Sequence, residues 1–425
     1  MIDIKLIREN PKLVRDNIKN KFQKDKLKLV DEVIRLDKEW RELKYKEDSL
    51  RSSRNQVSKN ISELKKAGKS ATVEIKKAGE IPGEISNMQD RRKKLEEEIT
   101  EIMWKIPNII HSSVPIGKDA TCNKVIGKYG VPKKLKDVKS HVELGEELGM
   151  LDFDVVADVA GKGFYFLKGD LALLNMALIN YARDFMVEKG FMYVEPPLMI
   201  REKILKGVYS NEEIETMAYK VDGEDLFLIA TSEHPLIGQF IDKTLRGKEL
   251  PILQTSYSMC FRKEIGSHGI DEKGIFRTHQ FNKQEMVVVC EPGDSYKWYE
   301  KMLKYSVDLF KKLEIPFRVV ELCSGDLSDL KAKSCDLEAW SPRKNDYFEI
   351  TSLTNMEAAQ ARRLGIKIED RGNRYYAHTL NNTVIATSRA LVAIMENNQQ
   401  KDGSIKIPKV LVPYMGGKKV IQKNW

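Results

Sequence analysis

The sequence of 425 residues has only 5 cysteines and no long apolar run. None of its apolar stretches reaches the roughly 18 to 20 residues of a membrane-spanning helix, and its first residues contain no apolar signal segment. The cysteines are odd in number and never at C-x-x-C spacing, which argues against a disulfide framework and a zinc knot. We therefore expect a cytoplasmic protein with no membrane partner.

The composition is that of a folded chain with an uneven distribution of charge. Hydrophobic residues make up 41% and charged residues 32%, with 26 glycines and 14 prolines, which excludes wholesale disorder and leaves room for two or three domains. The formal net charge is +9, and residues 1–110 hold 27 basic and 20 acidic residues, hence +7 of that total. The basic part of the chain is therefore its N-terminal region.

Two heptad stripes in this region predict a helical hairpin. The first stripe spans residues 33–64, with Glu47 and Arg54 at two of its seam positions, and the second spans residues 81–106. A glycine-containing break separates the stripes, so the chain must reverse there and form an antiparallel coiled coil. Because proline removes a helical hydrogen bond, we expect the second helix to start near Pro82 or to be kinked there.

The hairpin has two interpretations, an oligomerisation or spacer coiled coil and an RNA-binding arm. The basic side chains of the hairpin, most of them outside the seam, suit a phosphate backbone better than a protein partner. They are Arg51, Arg54, Lys59, Lys65, Lys66, Lys69, Lys76, Lys77 and the run Arg91 to Lys94. A stretch rich in glycine and proline follows, so we predict a helical arm at residues 1–110 and a second domain at residues 111–425.

The strongest pattern is a pair of polar strands, residues 257–264 and 275–285, that flank a glycine-containing loop. Successive side chains of the second strand are polar on both faces, so neither face resembles a core face. Such a strand lines a ligand site or lies at a solvated edge. The recurrence of Arg262 and Glu264 on the partner strand favours the ligand site.

Three further segments carry candidate ligand groups. In residues 230–234, an acid flanked by small hydroxyls suits an ammonium and a hydroxyl, or begins a helix as its cap. Arg389 lies in an otherwise apolar run and requires an anion, either a structural carboxylate or a phosphate. Glu349 and Ser352, at a predicted strand end, could hold a hard divalent cation that bridges phosphates.

These motifs together resemble the class II aminoacyl-tRNA synthetases, and the seryl-tRNA synthetase family in particular. The likeness rests on the N-terminal arm, the Phe-Arg-x-Glu strand ending at Glu264, the return strand at residues 274–281, the Thr-Ser-Glu loop and the Arg389 helix. It implies an α+β fold, with the coiled-coil hairpin joined to an antiparallel sheet of six to seven strands flanked by helices. The helix and strand at residues 170–197 resemble motif 1, which builds a homodimer in that family. The usual glycines of motif 3 are absent from residues 383–389, as in the archaeal and eukaryotic forms.

The resemblance also implies an activity and a set of site residues. It implies a ligase that activates L-serine with ATP to seryl-adenylate and charges tRNA(Ser) through the arm, with tRNA(Sec) open as a second acceptor. Arg262 and Arg389 are the implied catalytic residues, and Glu349 and Ser352 the implied Mg²⁺ ligands. The implied ATP site comprises Arg262, Lys263, Glu264, Arg277, Thr278, Phe281, Glu349, Ile350, Thr351, Ser352 and Arg389. The implied serine site comprises Thr231, Ser232, Glu233, Arg262, Glu285 and Thr383.

The same residues give less support to two rival functions. A ligase that hands an amino acid to a carrier protein has no need of a long basic arm, and a non-catalytic RNA-binding paralogue would have lost a nucleotide-binding arginine. Arg262, Arg277 and Arg389 are all present. His279 is expected to buttress its strand rather than to act as a general base, because adenylate formation has no step that requires one.

Overall fold

The computed structural model describes residues 1–133, 135, 137–264 and 274–423. The chain divides into two compact units, Met1–Ile109 and Ile110–Trp425. The glycine-containing loop predicted between the polar strands falls on residues 265–273 and lies outside the described residues. Among the helices of the described residues, none combines the length and the apolar character needed to cross a membrane.

The first unit is a helical hairpin with two short helices at its base. Helices α3 and α4 run antiparallel, since Trp40 Nε1 of α3 donates to Glu96 Oε1 of α4 at 2.9 Å, whereas Glu47, further along α3, accepts from Gln89 Nε2, earlier in α4, at 3.1 Å. Their apolar seam confirms the predicted coiled coil. The helices are α1 (Ile4–Glu9), α2 (Pro11–Asn20), α3 (Leu27–Lys66) and α4 (Thr72–Lys105).

Of the two outcomes expected near Pro82, a helix start is wrong, and a kink stays a prediction. Helix α4 begins at Thr72 and continues through Pro82. The proline and the glycine that follows it are exposed, so the carbonyl that loses its partner can be hydrated. Ile81 and Ile85, one residue before the proline and three after it, are buried, and this packing offsets the cost of the proline, about 3 kcal/mol.

The polar seam position at Glu47 is a buried ionic cluster. Glu47 is 2% exposed, and its carboxylate accepts from Arg51 Nη2 at 2.8 Å and from Gln89 Nε2 at 3.1 Å. Arg92, from α4, also pairs with it and lies over the Trp40 ring, 4.6 Å from the centroid. Arg92 therefore belongs to the interior of the hairpin, whereas Arg91 and the two lysines that follow Arg92 are exposed.

The second unit is built on one large sheet. Its eight strands lie in the order β1-β10-β11-β12-β15-β9-β8-β4, and every neighbouring pair is antiparallel except β4 with β8. The strands of the unit are β1 (Lys124–Tyr129), β2 (Leu151–Asp152), β3 (Phe166–Leu167), β4 (Met192–Tyr193), β5 (Met199–Ile200), β6 (Phe227–Leu228), β7 (Thr244–Arg246), β8 (Ile252–Phe261), β9 (Gln280–Cys290), β10 (Phe317–Glu321), β11 (Lys333–Ser341), β12 (Asp346–Glu357), β13 (Lys367–Asp370), β14 (Asn373–Tyr376), β15 (His378–Ala386), β16 (Ile405–Lys406) and β17 (Val420–Ile421).

Helices cover one face of this sheet and bury its apolar side chains. The largest core cluster joins α7, α11 and α13 to residues of β9, β10, β11 and β15, whose alternate side chains are apolar. The α+β fold is thus confirmed, with eight strands rather than six to seven. The helices of this unit are α5 (His141–Glu147), α6 (Asp154–Ala160), α7 (Gly169–Glu188), α8 (Glu202–Val208), α9 (Asn211–Met217), α10 (Glu233–Gly238), α11 (Ser295–Lys312), α12 (Ala359–Leu364) and α13 (Thr387–Asn398).

Candidate active site

A cavity of about 470 Å³ lies on the second unit, over the middle strands of the large sheet. Strands β9, β12 and β15 contribute its floor, and the ends of β8 and α13 contribute arginines. Most of the residues that the motifs singled out line this one cavity. They are Thr231, Glu233, Arg262, Glu264, Arg277, Thr278, Phe281, Glu285, Glu349, Ile350, Ser352, Thr383 and Arg389.

Three predicted residues lie outside the cavity lining. The Ser232 hydroxyl donates to the Ser256 carbonyl at 3.1 Å, and Thr351 is buried in the sheet. Lys263 contributes its backbone N–H, which donates to the Met217 carbonyl at 3.0 Å. The structure therefore gives these residues packing positions beside the cavity rather than side chains within it.

At one end of the cavity a buried carboxylate is surrounded by hydroxyls. Glu285 is wholly buried, and its Oε1 accepts from Thr231 Oγ1 at 3.1 Å and from Thr383 Oγ1 at 3.3 Å. Lys283 forms an ion pair with the same oxygen. Within the described part of the chain, Glu285 Oε2 has no hydrogen-bond partner. Because buried acceptors are normally satisfied, this oxygen is a candidate to accept from a bound donor.

A second buried carboxylate, Glu233, lies nearby at the start of α10. Its oxygens accept from Gln360 Nε2 and Asn381 Nδ2, each at 2.8 Å. Burial, reinforced by repulsion from Glu285, raises the pKa of Glu233 to about 7. Two carboxylates in one buried site favour a cationic ligand, because a cation offsets both burial and repulsion.

The two interpretations of the hydroxyls before α10 can now be separated. Ser232 occupies the cap position but makes no side-chain capping bond. The Thr231 hydroxyl instead accepts from the Glu233 N–H at 3.3 Å while it donates to Glu285. One hydroxyl therefore serves both the helix start and the acidic pocket.

Two arginines lie over aromatic rings at the other end of the cavity. The Arg262 guanidinium is 5.2 Å from the centroid of Phe281, and its Nε donates to the Ala230 carbonyl at 3.3 Å. The Arg389 guanidinium is 5.0 Å from the centroid of Phe276 and 3.1 Å from Glu349 Oε2. Each guanidinium keeps N–H groups that can bind a phosphate. Arg389 can therefore pair with the Glu349 carboxylate and still bind a phosphate, so its two interpretations are compatible.

A carboxylate and a hydroxyl meet in the middle of β12, not at a strand end as expected. In a regular strand, Glu349 and Ser352 would point to opposite faces because they are three residues apart. The pairing of β12 with β11 shifts by one residue at Ile350, and this bulge brings both side chains to the cavity. Asp336 of β11 pairs directly with Ser352 and lines the same wall.

These oxygens fit a hard divalent cation. Burial and repulsion from Glu349 raise the pKa of Asp336, and Asp336 Oδ1 has no partner among the described residues. Burial opposes ionisation of Glu349 as well, but the Arg389 guanidinium lowers its pKa. In the described ranges, no group of three or more His, Cys, Asp or Glu side chains could hold a metal alone. A cation here needs additional oxygens, such as phosphate oxygens.

His279 lies behind the arginine rather than in the cavity lining. Its Nδ1 is 2.8 Å from the Tyr219 hydroxyl and 3.0 Å from the Arg262 carbonyl oxygen. Gly163 packs so closely that a Cβ there would lie 2.4 Å from the imidazole Cδ2. The imidazole thus contacts the backbone of the strand end that carries Arg262.

Sequence reasoning missed several residues that line the cavity, among them Phe276, Lys283 and Asp336. Phe276 and Lys283 lie within the quoted motif, where the polar alternation marked the strand without assigning either a role. Asp336 lies outside every motif, and only its pairing with Ser352 brings it to the site.

Comparison with known proteins identifies two domain families in the chain. Residues 217–398 match the tRNA synthetase class II core domain (G, H, P, S and T), and residues 1–110 match the seryl-tRNA synthetase N-terminal domain. A serine–tRNA ligase from Methanocella arvoryzae is 43% identical over 421 residues, which are 98% of this chain and 99% of that protein.

Two solved structures are similar over almost the whole chain. The seryl-tRNA synthetase from Pyrococcus horikoshii, complexed with ATP, has a TM-score of 0.96 at 42% identity and covers 99% of both chains. The cytoplasmic serine–tRNA ligase from Naegleria fowleri, in complex with AMP, has a TM-score of 0.91 at 34% identity and covers 100% of this chain and 99% of that one.

Proposed function

Because the chain belongs to the seryl-tRNA synthetase family, we propose that it activates L-serine with ATP and transfers the seryl group to the 3′ end of tRNA(Ser). The observation that carries this proposal is the cavity, which has two buried carboxylates and two hydroxyls at one end and two arginines at the other. The acidic end suits the ammonium and hydroxyl of serine, and the arginine end suits a nucleotide phosphate chain.

In the first step, the serine carboxylate attacks the α-phosphorus of ATP in line and pyrophosphate leaves. Arg262 binds the α-phosphate and Arg389 the γ-phosphate end, while Phe281 stacks on adenine and Glu264 accepts from its amino group. Arg277 and Thr278 complete the nucleotide site. Rate enhancement comes mainly from positioning and from cations that face the developing charge, so no side-chain nucleophile is needed.

A divalent cation fits the Glu349, Ser352 and Asp336 oxygens, and Mg²⁺ bound there would neutralise phosphate charge. Glu349 in turn orients Arg389 through the 3.1 Å ion pair, so the same carboxylate positions a guanidinium and offers an oxygen to the ion. In the second step, a terminal ribose hydroxyl of tRNA attacks the seryl carbonyl and AMP leaves.

Selection of serine rests on the hydroxyl and carboxylate groups around Glu285. A buried site that hydrogen-bonds a substrate hydroxyl rejects the analogue without it by about 10⁴- to 10⁵-fold, because its own polar groups are left unpaired. Thr231, Thr383 and the unpartnered oxygen of Glu285 supply such groups, so alanine is rejected. Threonine is rejected by the size of the site.

We assign residues 1–110 as the tRNA-binding arm and residues 111–425 as the catalytic domain. The exposed lysines and arginines on α3 and α4 support a phosphate-backbone partner, and tRNA(Sec) is a second candidate acceptor. Exposed apolar side chains on α7, including Leu173 at 57% and Met176 at 49%, support a homodimer through this helix. The site of action is the cytoplasm.

The test is ATP–pyrophosphate exchange with serine, alanine, threonine and glycine, followed by aminoacylation of tRNA(Ser) and tRNA(Sec). We expect serine-dependent exchange in the wild type and its loss in Arg262→Ala. Arg246→Ala is the matched control, because Arg246 is exposed and pairs only with nearby Glu249 among the described residues. Absence of exchange with all four amino acids would refute the proposed activity.

A further inference from the structure

Two lysines with different surroundings lie where the chain enters β11: Lys331 in the preceding loop and Lys333 at the first position of the strand. Lys333 pairs with Glu321 at 2.9 Å and donates to the Ser113 hydroxyl at 2.8 Å. Lys331 is half-buried and lines the cavity, and none of the side chains that the structure describes forms an ion pair or hydrogen bond with its ammonium. The three N–H donors of that ammonium are therefore available inside the site.

The backbone around Lys331 is held in place. The Lys331 N–H donates to the Ser328 carbonyl at 3.2 Å, and the next residue, Ala332, donates to the Asn355 carbonyl at 3.0 Å. Because one bond closes a local turn and the other ties the next residue to β12, the side chain of Lys331 starts from an anchored backbone at the cavity wall. It can move only by rotation of its own side chain.

Three carboxylates of the cavity respond to this charge. Lys331 lowers the pKa of Asp336, Glu349 and Glu233, and for Asp336 it is the strongest attractive influence. Asp336 and Glu349, the carboxylates that fit a phosphate-bridging cation, line the same cavity as Lys331. A half-buried ammonium in this position, with no direct partner among the described residues, suits an anion that enters the cavity.

We propose that Lys331 is a further catalytic residue, which binds the phosphate chain of the nucleotide from the β11 side of the cavity. Arg262 comes from β8, and three strands, β9, β15 and β12, separate β8 from β11 in the sheet. The phosphate chain would then be held from both sides. The Lys331 ammonium would stabilise the negative charge that develops on pyrophosphate as it leaves. This inference rests on the proposed function, since it assigns a residue to the same nucleotide site.

The experiment compares Lys331→Met, Lys331→Arg and, as the matched control, Lys333→Met in the full chain. Calorimetry measures the affinity for ATP and for adenosine, which lacks the phosphates, and each variant is also assayed for serine-dependent exchange. Loss of one charge-assisted hydrogen bond predicts about 10- to 100-fold weaker ATP binding for Lys331→Met with adenosine binding unchanged. Lys331→Arg should recover most of the ATP affinity, and Lys333→Met should keep it.

Three other results would overturn the inference. Unchanged ATP affinity in Lys331→Met would show that the ammonium does not contact the phosphates. A rise confined to the KM for serine would show that it contacts the amino acid instead. Equal weakening of ATP and adenosine would show a structural role. If the wild type itself lacks serine-dependent exchange, the proposed function fails, while the comparison of ATP with adenosine still tests Lys331.

Discussion

The buried cluster at Glu47 allows a quantitative test of what stabilises the helical hairpin. Truncation by Glu47→Ala would leave Arg92, whose side chain is 16% exposed, without its main partner inside the seam. Breaking a buried ion pair from one side costs about 3 to 5 kcal/mol. Arg92 keeps its contact with the Trp40 ring and a longer pair with Glu96, at 3.7 Å, so we expect the lower end, about 3 kcal/mol.

Replacing both partners should behave differently. In Glu47→Leu combined with Arg92→Leu, the seam becomes apolar and no buried charge is left, so the free energy of unfolding should stay within about 1 kcal/mol of the wild type or rise. The stabilisation also depends on pH. Although burial opposes ionisation, Arg51, Arg92 and Gln89 lower the pKa of Glu47 below its ordinary 4.5, so its contribution is present above that pH and is lost as the pH falls through the lowered value.

Hydrogen–deuterium exchange on peptides from α3 and α4 of the full chain measures these changes as free energies of local opening. A loss of about 3 kcal/mol corresponds to roughly 100-fold faster exchange. Arg54→Ala is the matched control, because Arg54 occupies the other polar seam position of α3 but is exposed, and it should change exchange by less than about threefold. Equal losses in Glu47→Ala and in the double leucine variant would refute the reasoning.

Three further predictions concern the cavity. Because the pKa of Glu233 is raised to about 7, serine affinity measured by calorimetry should increase as the pH rises from 6 to 8, and Glu233→Gln should remove this dependence. Gly163→Ala should lower both the thermal midpoint and ATP affinity, because the added Cβ meets His279 at 2.4 Å; Gly161→Ala, which shares a positive φ but has open space, should affect only the midpoint. Thr383→Val removes a hydroxyl that donates to the buried carboxylate, so the KM for serine in pyrophosphate exchange should rise about tenfold, and an unchanged KM would contradict the assigned contact.

Residues whose role depends on local pattern could be predicted from the sequence, and those whose role depends on register could not. The heptad spacing predicts both long helices, but the contact between Glu47 and Arg92 depends on how the two helices are aligned. Pro82 lies inside α4 rather than at its start, because buried isoleucines before and after it in the sequence stabilise the helix through the proline.

The same distinction holds in the cavity. The polar alternation on β8 and β9 predicted a ligand site, and Arg262 and Glu285 line one cavity, at opposite ends, because the two strands are paired neighbours. Asp336 lies in β11 and Lys331 in the loop before it, separated from β8 by three strands of the sheet, and no short motif contains either residue. Their places follow from the order of strands, which a single sequence does not reveal.

The shift in pairing at Ile350 has a counterpart in β15, where the register with β9 shifts between Thr383 and Ile385. Each extra residue reverses the odd–even phase of its strand, so that side chains on both sides of it face the cavity. Deleting one residue at either place would restore regular alternation. A side chain that now lines the cavity would then point toward the core, even though no cavity residue had been replaced. The number of residues between functional groups is thus constrained as strictly as their identity, and an engineered insertion in these strands must keep that parity.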